Sequence, residues 1–340
     1  MLPILFEPNN ILVTGGAGFI GAHFIHTILK KYSTVNIINL DNLTYAGSLE
    51  RLENLPNPDH YIFIKGNICN RLLIDKILKE NKIDTIVHFA AESHVDRSIS
   101  GPEVFIETNV MGTFTLLEAA KKYWIDENKW GTSQCRFHHI STDEVYGSLT
   151  EEDAPFTELT RYAPNSPYAA SKAASDHLVR AYHETYKLPV TISNCSNNFG
   201  PTQADEKFIP TVIAACRALK QIPIYGKGLN IRDWIYVLDH CKMIDWIIRS
   251  GKVGDAYNIG GNNEIRNIEL AKMICRVMDV LKPASNPHET LITHVADRQG
   301  HDWRYAISNA KIESCSGMSV SNHLEFMENL TNTVQSYLLF

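Results

Sequence analysis

Residues 11–21 read Ile11-Leu12-Val13-Thr14-Gly15-Gly16-Ala17-Gly18-Phe19-Ile20-Gly21. An apolar, strand-like run enters a cluster of glycines, and a periodic apolar stretch, Phe19–Lys31, starts where the cluster ends. Strand, glycine turn and helix in that order form the context in which G-x-G-x-x-G binds a dinucleotide. Gly15, Gly16 and Gly18 permit the tight turn and a close approach of backbone to pyrophosphate. Gly21 lets helix and strand pack, and the helix N-terminus faces the phosphates. Alone, the pattern fits a ligand-free turn as well. The next strand-like run, residues 35–40, leads into Asp41, near the spacing of the acid that binds a ribose 2′-hydroxyl. A carboxylate there repels a 2′-phosphate and no arginine follows before Arg51, so NAD is expected rather than NADP.

Further strand-like runs at Tyr61–Lys65, 85–89, 137–141 and 190–194 alternate with helix-like stretches at Arg71–Glu80, 102–123 and Pro167–Tyr186. Such alternation predicts a parallel sheet with helices on both faces. Beyond Phe199-Gly200-Pro201 the pattern breaks into shorter pieces, with helix candidates at 208–219, 238–250, 267–280 and 322–339. The expected fold class is α/β: a Rossmann-type doubly wound parallel sheet over residues 1–200, which binds NAD. A smaller α/β C-terminal lobe over 201–340 binds substrate, with some segments crossing between the two. At 340 residues the chain exceeds the usual span of one compact core.

The formal net charge of −6 and the absence of any Lys/Arg run argue against nucleic acid as a partner. The first residues, Met1-Leu2-Pro3-Ile4-Leu5-Phe6-Glu7, have neither the basic region nor the apolar core of a leader, and no later segment is apolar for long enough to span a bilayer. A cytoplasmic location without membrane association is the resulting expectation. The seven cysteines, at 69, 135, 195, 216, 241, 275 and 315, are scattered without metal-ligand spacing. They are expected to be reduced and mostly buried, with no metal site.

Two constellations carry chemistry. Tyr168 and Lys172 lie four residues apart in a helix-like stretch after Ser166-Pro167, so both side chains share one face and the ammonium can stabilise a phenolate. A free phenol has a pKa of about 10 and needs such a charge to act as a base near neutrality. Tyr61 and Lys65 have the same spacing but lie in a strand-like run, where four residues span about 13 Å at ~3.3 Å each. The alternative for Tyr168 and Lys172 is a surface pair. Against it, Thr142 closes a strand on the carboxyl side of the sheet, the edge where open α/β sheets bind ligands. Immediately after it come Asp143 and Glu144, two carboxyls whose pKa values an environment can drive apart into an acid and a base. A solvated acidic loop is the alternative there.

These residues, with Leu43–Gly47, Ala90–Ser98, Asn194–Asn198, Pro223–Gly228, Ile231–Trp234 and Asp297–His301, resemble the extended short-chain dehydrogenase/reductases, and among them the dTDP-glucose 4,6-dehydratase family. The likeness runs from the start of the chain to about residue 310. The Asp143-Glu144 pair after Ser141-Thr142 separates it from sugar epimerases of the same superfamily. The resemblance implies a redox-neutral cycle on dTDP-glucose. Tyr168 takes the C4 hydroxyl proton while NAD takes the C4 hydride, with Thr142 hydrogen-bonding near that oxygen and Lys172 holding the tyrosine and the nicotinamide ribose. Glu144 removes the acidified C5 proton, Asp143 protonates the departing C6 hydroxyl, and the hydride returns to C6.

The same resemblance lines NAD with Gly15, Gly16, Gly18, Phe19, Ile20, Gly21, Asp41, Asn42, Leu43, Thr44, Asn67, Ile68, Phe89, Ala90, Ala91, Ser93, Thr108, Tyr168, Lys172 and Asn198. It places the substrate against Ser93, Thr142, Asn197, Lys207, Phe208, Pro223, Tyr225, Arg232, Asn267, Asp297 and His301. Arg232 suits a diphosphate, which a guanidinium grips with two parallel hydrogen bonds; a surface salt bridge is its other reading. Family members pair through the helices at 102–123 and Pro167–Tyr186, so a homodimer is implied, with Leu116 and Leu178 as exposed apolar candidates. Three positions depart from the family pattern: Asn67 stands for an aspartate, Gln299 for a proline and Trp303 for a basic residue. Beyond Lys311 the expected Leu-Gly-Trp pattern is absent. The rivals are a UDP-glucose 4,6-dehydratase, a UDP-sugar 4-epimerase and a non-catalytic NAD-binding regulator.

Overall fold

The computed structural model describes residues 5–339; residues 1–4 of the stretch read for a leader, and Phe340, lie outside the described residues. The strands are β1 (Asn10–Thr14), β2 (Asn36–Asp41), β3 (Tyr61–Lys65), β4 (Thr85–His88), β5 (Arg136–Thr142), β6 (Val190–Cys195), β7 (Asn197–Phe199), β8 (Ile222–Tyr225), β9 (Ile231–Tyr236), β10 (Ala256–Ile259), β11 (Glu264–Arg266) and β12 (Ile292–Val295). Seven of them form one parallel sheet in the order β10-β6-β5-β4-β1-β2-β3. The order reverses between β1 and β4, and the crevice above their carboxyl ends is where such sheets bind ligands.

Burial on both faces explains the near-continuous apolar runs of the inner strands. On one face, helices Phe19–Lys31 and Val237–Ser250 cover a core that includes Val13, Phe24, Ile28, Ile244 and Ile247. On the other, Leu12, Ile86, Leu117, Trp124, Phe137 and Val179 pack beneath helices Arg71–Glu80, Thr113–Ala120 and Pro167–Tyr186. The last of these starts where its sequence says it should. Pro167 takes the first turn, where its missing N–H costs nothing, and the Ser166 hydroxyl accepts from the Ala169 N–H at 3.1 Å.

One helix differs from expectation. The stretch read as 102–123 runs over 103–127 and contains two π-helical turns, Ile106–Gly112 and Lys121–Glu127. The first brings Asn109 to the loop after β4, where its side chain binds both the Glu92 N–H (2.8 Å) and the Glu92 carbonyl (3.0 Å) and donates to Ser171 Oγ (2.8 Å). Insertions of this kind cluster at functional sites. Leu116, read as an exposed dimer contact, is instead fully buried in the core under the sheet, and Leu178 is partly buried against the same core.

Past residue 200 a third core gathers Phe199, Ile213, Ile224, Trp234, Ile274, Phe326 and Leu330 among helices Phe208–Ala218, Asn267–Leu281 and His323–Leu338. Two small sheets, β11-β9-β7 and β12-β8, edge it. Helix Val237–Ser250 and strand β10 return to the first body, so the division at residue 200 is crossed more than once. The seven cysteines are free, five of them buried.

Candidate active site

The glycine turn sits at the switch between β1 and β4. Gly15 has φ +71°, and a Cβ on it would lie 2.6 Å from the Ala90 backbone nitrogen; a Cβ on Gly21 would lie 2.5 Å from the Gly15 carbonyl. Any larger residue at either position forces the turn apart. Helix Phe19–Lys31 has no side-chain cap on its first turn and no acid within it. Its first N–H groups therefore suit an anion. Asp41 ends β2 with its carboxylate turned onto the turn, accepting from Ala17 N (2.9 Å) and Leu43 N (2.8 Å). The Arg51 guanidinium is committed to the carbonyls of Ala17 (3.0 Å), Ala46 (2.6 Å) and Thr202 (2.8 Å), and none of its bonds goes to a phosphate-binding position beside Asp41. An uncapped helix start, a close-packed glycine turn and a carboxylate beyond them fit a dinucleotide with a free 2′-hydroxyl.

The other cofactor candidates border the same crevice. Phe19, Ile20 and Gly18 are partly exposed at the helix start, while Gly16 lies against Asn39, whose Oδ1 accepts its N–H at 3.1 Å. Asn42 and Thr44 are exposed and Leu43 partly so. Ile68 is buried against Gly112; the exposed Asn67 accepts from the Cys69 N–H at 2.8 Å, which occupies one lone pair of the acceptor it was expected to offer. Phe89, Ala90, Ala91, Ser93 and Thr108 are partly exposed at the ends of β4 and the π turn. Asn198 is held inward, its Oδ1 on His240 Nδ1 (2.9 Å) and its Nδ2 on the Ser196 carbonyl (3.0 Å).

Strand β5 delivers the carboxyl pair. Thr142 is the residue before a short turn, Asp143–Tyr146, and its hydroxyl lies 3.3 Å from both the Glu144 N–H and Asp143 Oδ1. Asp143 is fully buried, and its Oδ2 has no hydrogen-bond partner among the described residues. Burial, then the charges of Glu144 and Asp233, hold its carboxyl well above the usual range. Glu144 is partly exposed. Burial raises it too, but Arg298, Arg232 and Lys207 pull it back. Both carboxyls are raised, but unequally: Asp143 is held well above the usual range, while the three positive charges limit the rise of Glu144, which leaves it the more readily ionised of the two.

Tyr168 and Lys172 are both buried on the inner face of their helix. Burial, followed by Glu144, Cys195 and Asp143, pushes the Tyr168 phenol well above its usual value, while its hydrogen bond with Thr142 opposes the rise. One turn along, the Lys172 ammonium donates to the Ile140 carbonyl (2.7 Å) and approaches His139 Nε2 (3.3 Å). Burial brings the Lys172 amine down to about 8.

The second lobe closes over this edge. Lys207 Nζ donates to the Ser93 carbonyl (3.0 Å), and Phe208 lies 6.2 Å from Trp234. Asn197 pairs across β7 and β9 with Trp234. Pro223 and Tyr225 share the exposed face of β8, and Tyr225 Oη contacts Asp96 at 3.3 Å. Arg232 makes no surface salt bridge. It is buried, stacked 4.2 Å over Tyr305, with its N–H groups on the carbonyls of Ile231 (2.7 Å) and Asp302 (2.9 Å). His301 Nδ1 meets Asp297 Oδ1 at 2.6 Å; against the upward pull of burial, that bond and the Arg298 N–H hold Asp297 below its usual value. Asn267 stands at the start of its helix, its N–H on the Asn230 carbonyl. Arg298, whose charge faces Glu144, and Tyr305 under Arg232 join the site without any local sequence signal. Asp176 joins it too, at a position legible as one helical turn after Lys172. No group of side chains with metal-binding geometry is present among the described residues.

Residues 12–327 match the family model for GDP-mannose 4,6 dehydratase. The dTDP-glucose 4,6-dehydratase of Xanthomonas campestris pv. campestris is 49% identical over 329 residues, 96% of this chain and 92% of the relative. Among solved structures, the chain is similar to the dTDP-glucose 4,6-dehydratase of Bacillus anthracis in complex with NAD (44% identity, TM-score 0.85, 97% of this chain and 96% of that one). It is similar as well to DesIV, a dTDP-glucose 4,6-dehydratase of Streptomyces venezuelae solved with NAD (42%, TM-score 0.87, 97% of each chain).

Proposed function

The chain belongs to the dTDP-glucose 4,6-dehydratase family, and on that premise we propose how its own residues convert dTDP-glucose into dTDP-4-keto-6-deoxyglucose and water. NAD, when bound on the glycine turn, would supply the acceptor for the C4 hydride and the donor that returns it to C6, while Glu144 gives the proton it removes back to C5. Tyr168 takes the C4 hydroxyl proton, with Thr142 hydrogen-bonding near that oxygen and Lys172 as the buried positive charge one turn along the helix. The C4 ketone acidifies C5. Glu144, raised by burial but less far than Asp143 because Arg298, Arg232 and Lys207 oppose the rise, removes the C5 proton. Asp143, kept protonated by burial and by Glu144, gives its proton to the C6 hydroxyl leaving as water. The unequal environments of these adjacent carboxyls, one fully buried and raised furthest, the other partly exposed and faced by three positive charges, are the observation that carries the reading. Lys207, Arg232, Arg298 and the Tyr225–His301 edge bind the nucleotide diphosphate and sugar.

The test is product analysis by mass spectrometry and NMR after mixing the protein with dTDP-glucose, and separately UDP-glucose, without added reductant. Loss of water with a new C6 methyl and a C4 ketone, faster from dTDP-glucose, is the expected result. Galactose at unchanged mass sinks the dehydratase assignment, and a faster UDP-glucose reaction sinks the base assignment. The product suits deoxysugar synthesis such as a rhamnose route, and the reading includes a cytoplasmic location; no helix among the described residues is long and apolar enough to cross a membrane.

The reading also includes a homodimer, formed through helices 103–127 and Pro167–Tyr186. Val104 (44% exposed), Met111 (49%) and Phe114 (38%) lay an apolar stripe on the outer face of the first. Met111→Glu combined with Phe114→Glu should halve the mass measured by light scattering. An unchanged mass rejects this surface.

A further inference from the structure

Behind the Tyr168–Lys172 pair lies a buried polar cluster that the catalytic reading leaves unused. Asp176 follows Lys172 by one turn of the same helix and is 2% exposed. Its Oδ2 accepts from Ser141 Oγ (2.7 Å), Tyr162 Oη (3.0 Å) and, more distantly, Asn194 Nδ2 (3.5 Å). Its Oδ1 lies 3.2 Å from His139 Nε2, the same nitrogen that Lys172 Nζ approaches at 3.3 Å. A neutral imidazole nitrogen either donates or accepts. If Nε2 accepts from the ammonium, the ring proton sits on Nδ1, which has no partner among the described residues, and Oδ1 is left equally bare. Three hydrogen-bond donors on Oδ2 favour the carboxylate form, so the ring stands between an ammonium and its counter-charge.

We propose that Asp176, acting through His139, is a positioning residue for the Tyr168–Lys172 pair: its carboxylate balances the buried ammonium, and the imidazole between them sets the direction of Nζ. The inference rests on the dehydratase reading for its kinetic consequence, and on geometry alone for its electrostatic one. The titratable groups around the ammonium are His139 on β5, His88 on β4, Cys195 on β6, and Tyr168 and Asp176 on its own helix. Of these, burial drives both histidines well below their ordinary value and Cys195 up to about 12. Asp176, raised by burial to about 6 but held down by Lys172 and its donors, is the one anion among them near neutrality.

The sign follows. Removing that anion destabilises the ammonium, so Lys172 loses its proton at a lower pH and Tyr168 loses its support there. Asp176→Asn keeps the shape and removes the charge. In the dTDP-glucose reaction, its rate of C4 oxidation should fall off on the alkaline side at a pH lower by about one unit than in the wild type, with KM little changed. Asp176→Glu should recover part of the shift. Tyr162→Phe, which takes one donor from the carboxylate, should move the limb the same way by less. Independently of turnover, NMR titration of the lysine ε-carbons in cofactor-free protein, with the Lys172 signal assigned by its loss in Lys172→Arg, should show the same downward shift in Asp176→Asn.

An unmoved Lys172 titration in both Asp176→Asn and Tyr162→Phe overturns the inference, as does an unshifted pH profile with a uniformly lower rate. If the wild type oxidises no sugar, the dehydratase reading fails instead and the lysine titration decides alone. Should Asp176→Asn not fold, Tyr162→Phe carries the test.

Discussion

Tyr168→Phe is expected to reduce C4 oxidation of dTDP-glucose by about 10²–10⁴-fold, the usual contribution of a positioned acid–base group. The loss should fall on kcat with substrate affinity nearly intact, because the ring stays packed edge-on against Phe105 at 6.3 Å and only the hydroxyl is removed. The phenol is pushed upward by burial and by the carboxylates around it, so it surrenders its proton only where compensating charge is assembled. Rapid-mixing measurement of reduced nicotinamide in the first turnover checks this. A wild-type rate in that phase removes Tyr168 from the mechanism.

The second large effect separates oxidation from elimination. Glu144→Gln keeps the shape of the side chain and deletes the base. C4 oxidation should proceed, the C5 proton should stay in place, and overall dehydration should fall by about 10²–10⁴-fold. Reduced-nicotinamide absorbance should then persist where the wild type returns to baseline, and incubation in deuterated water should leave C5 unlabelled. Losing the Glu144 charge also relieves Asp143 and Tyr168, both of which it pushes upward. Normal turnover, or deuterium at C5, contradicts the assignment.

The sequence made the inner strands and the long helices legible because their signals are local. Tyr61–Lys65, Arg71–Glu80 and Pro167–Tyr186 carry their own periodicity and caps, and the observed bounds agree with the expected ones. Strands β7, β8 and β11 were not, since three or four residues such as Asn197-Asn198-Phe199 or Glu264-Ile265-Arg266 are too short for alternation to register, and Pro223 interrupts β8. The π turns in helix 103–127 follow from tertiary hydrogen bonds of Asn109, which no spacing rule contains. In the site, residues tied to one strand end or one helix turn could be read: Thr142 to Glu144, and Tyr168 with Lys172. The burial that splits Asp143 from Glu144, and the inward turn of Arg232 onto Tyr305 rather than to solvent, arise from segments about 60 to 160 residues away and have no local signature. Leu116 shows the converse. Helical spacing alone could not tell which of two apolar faces meets the sheet.

The return of the chain to its first sheet sets the order in which the molecule can be made. While the ribosome has delivered only as far as β7, β6 is an open edge and the face later covered by Val237–Ser250 lies bare over Val13, Phe24 and Ile28. Both are closed only when residue 259 has emerged. The nascent NAD-binding half therefore waits, incomplete and adhesive, through the synthesis of nearly sixty further residues, and a stall in that interval strands it in the form most prone to associate with other chains.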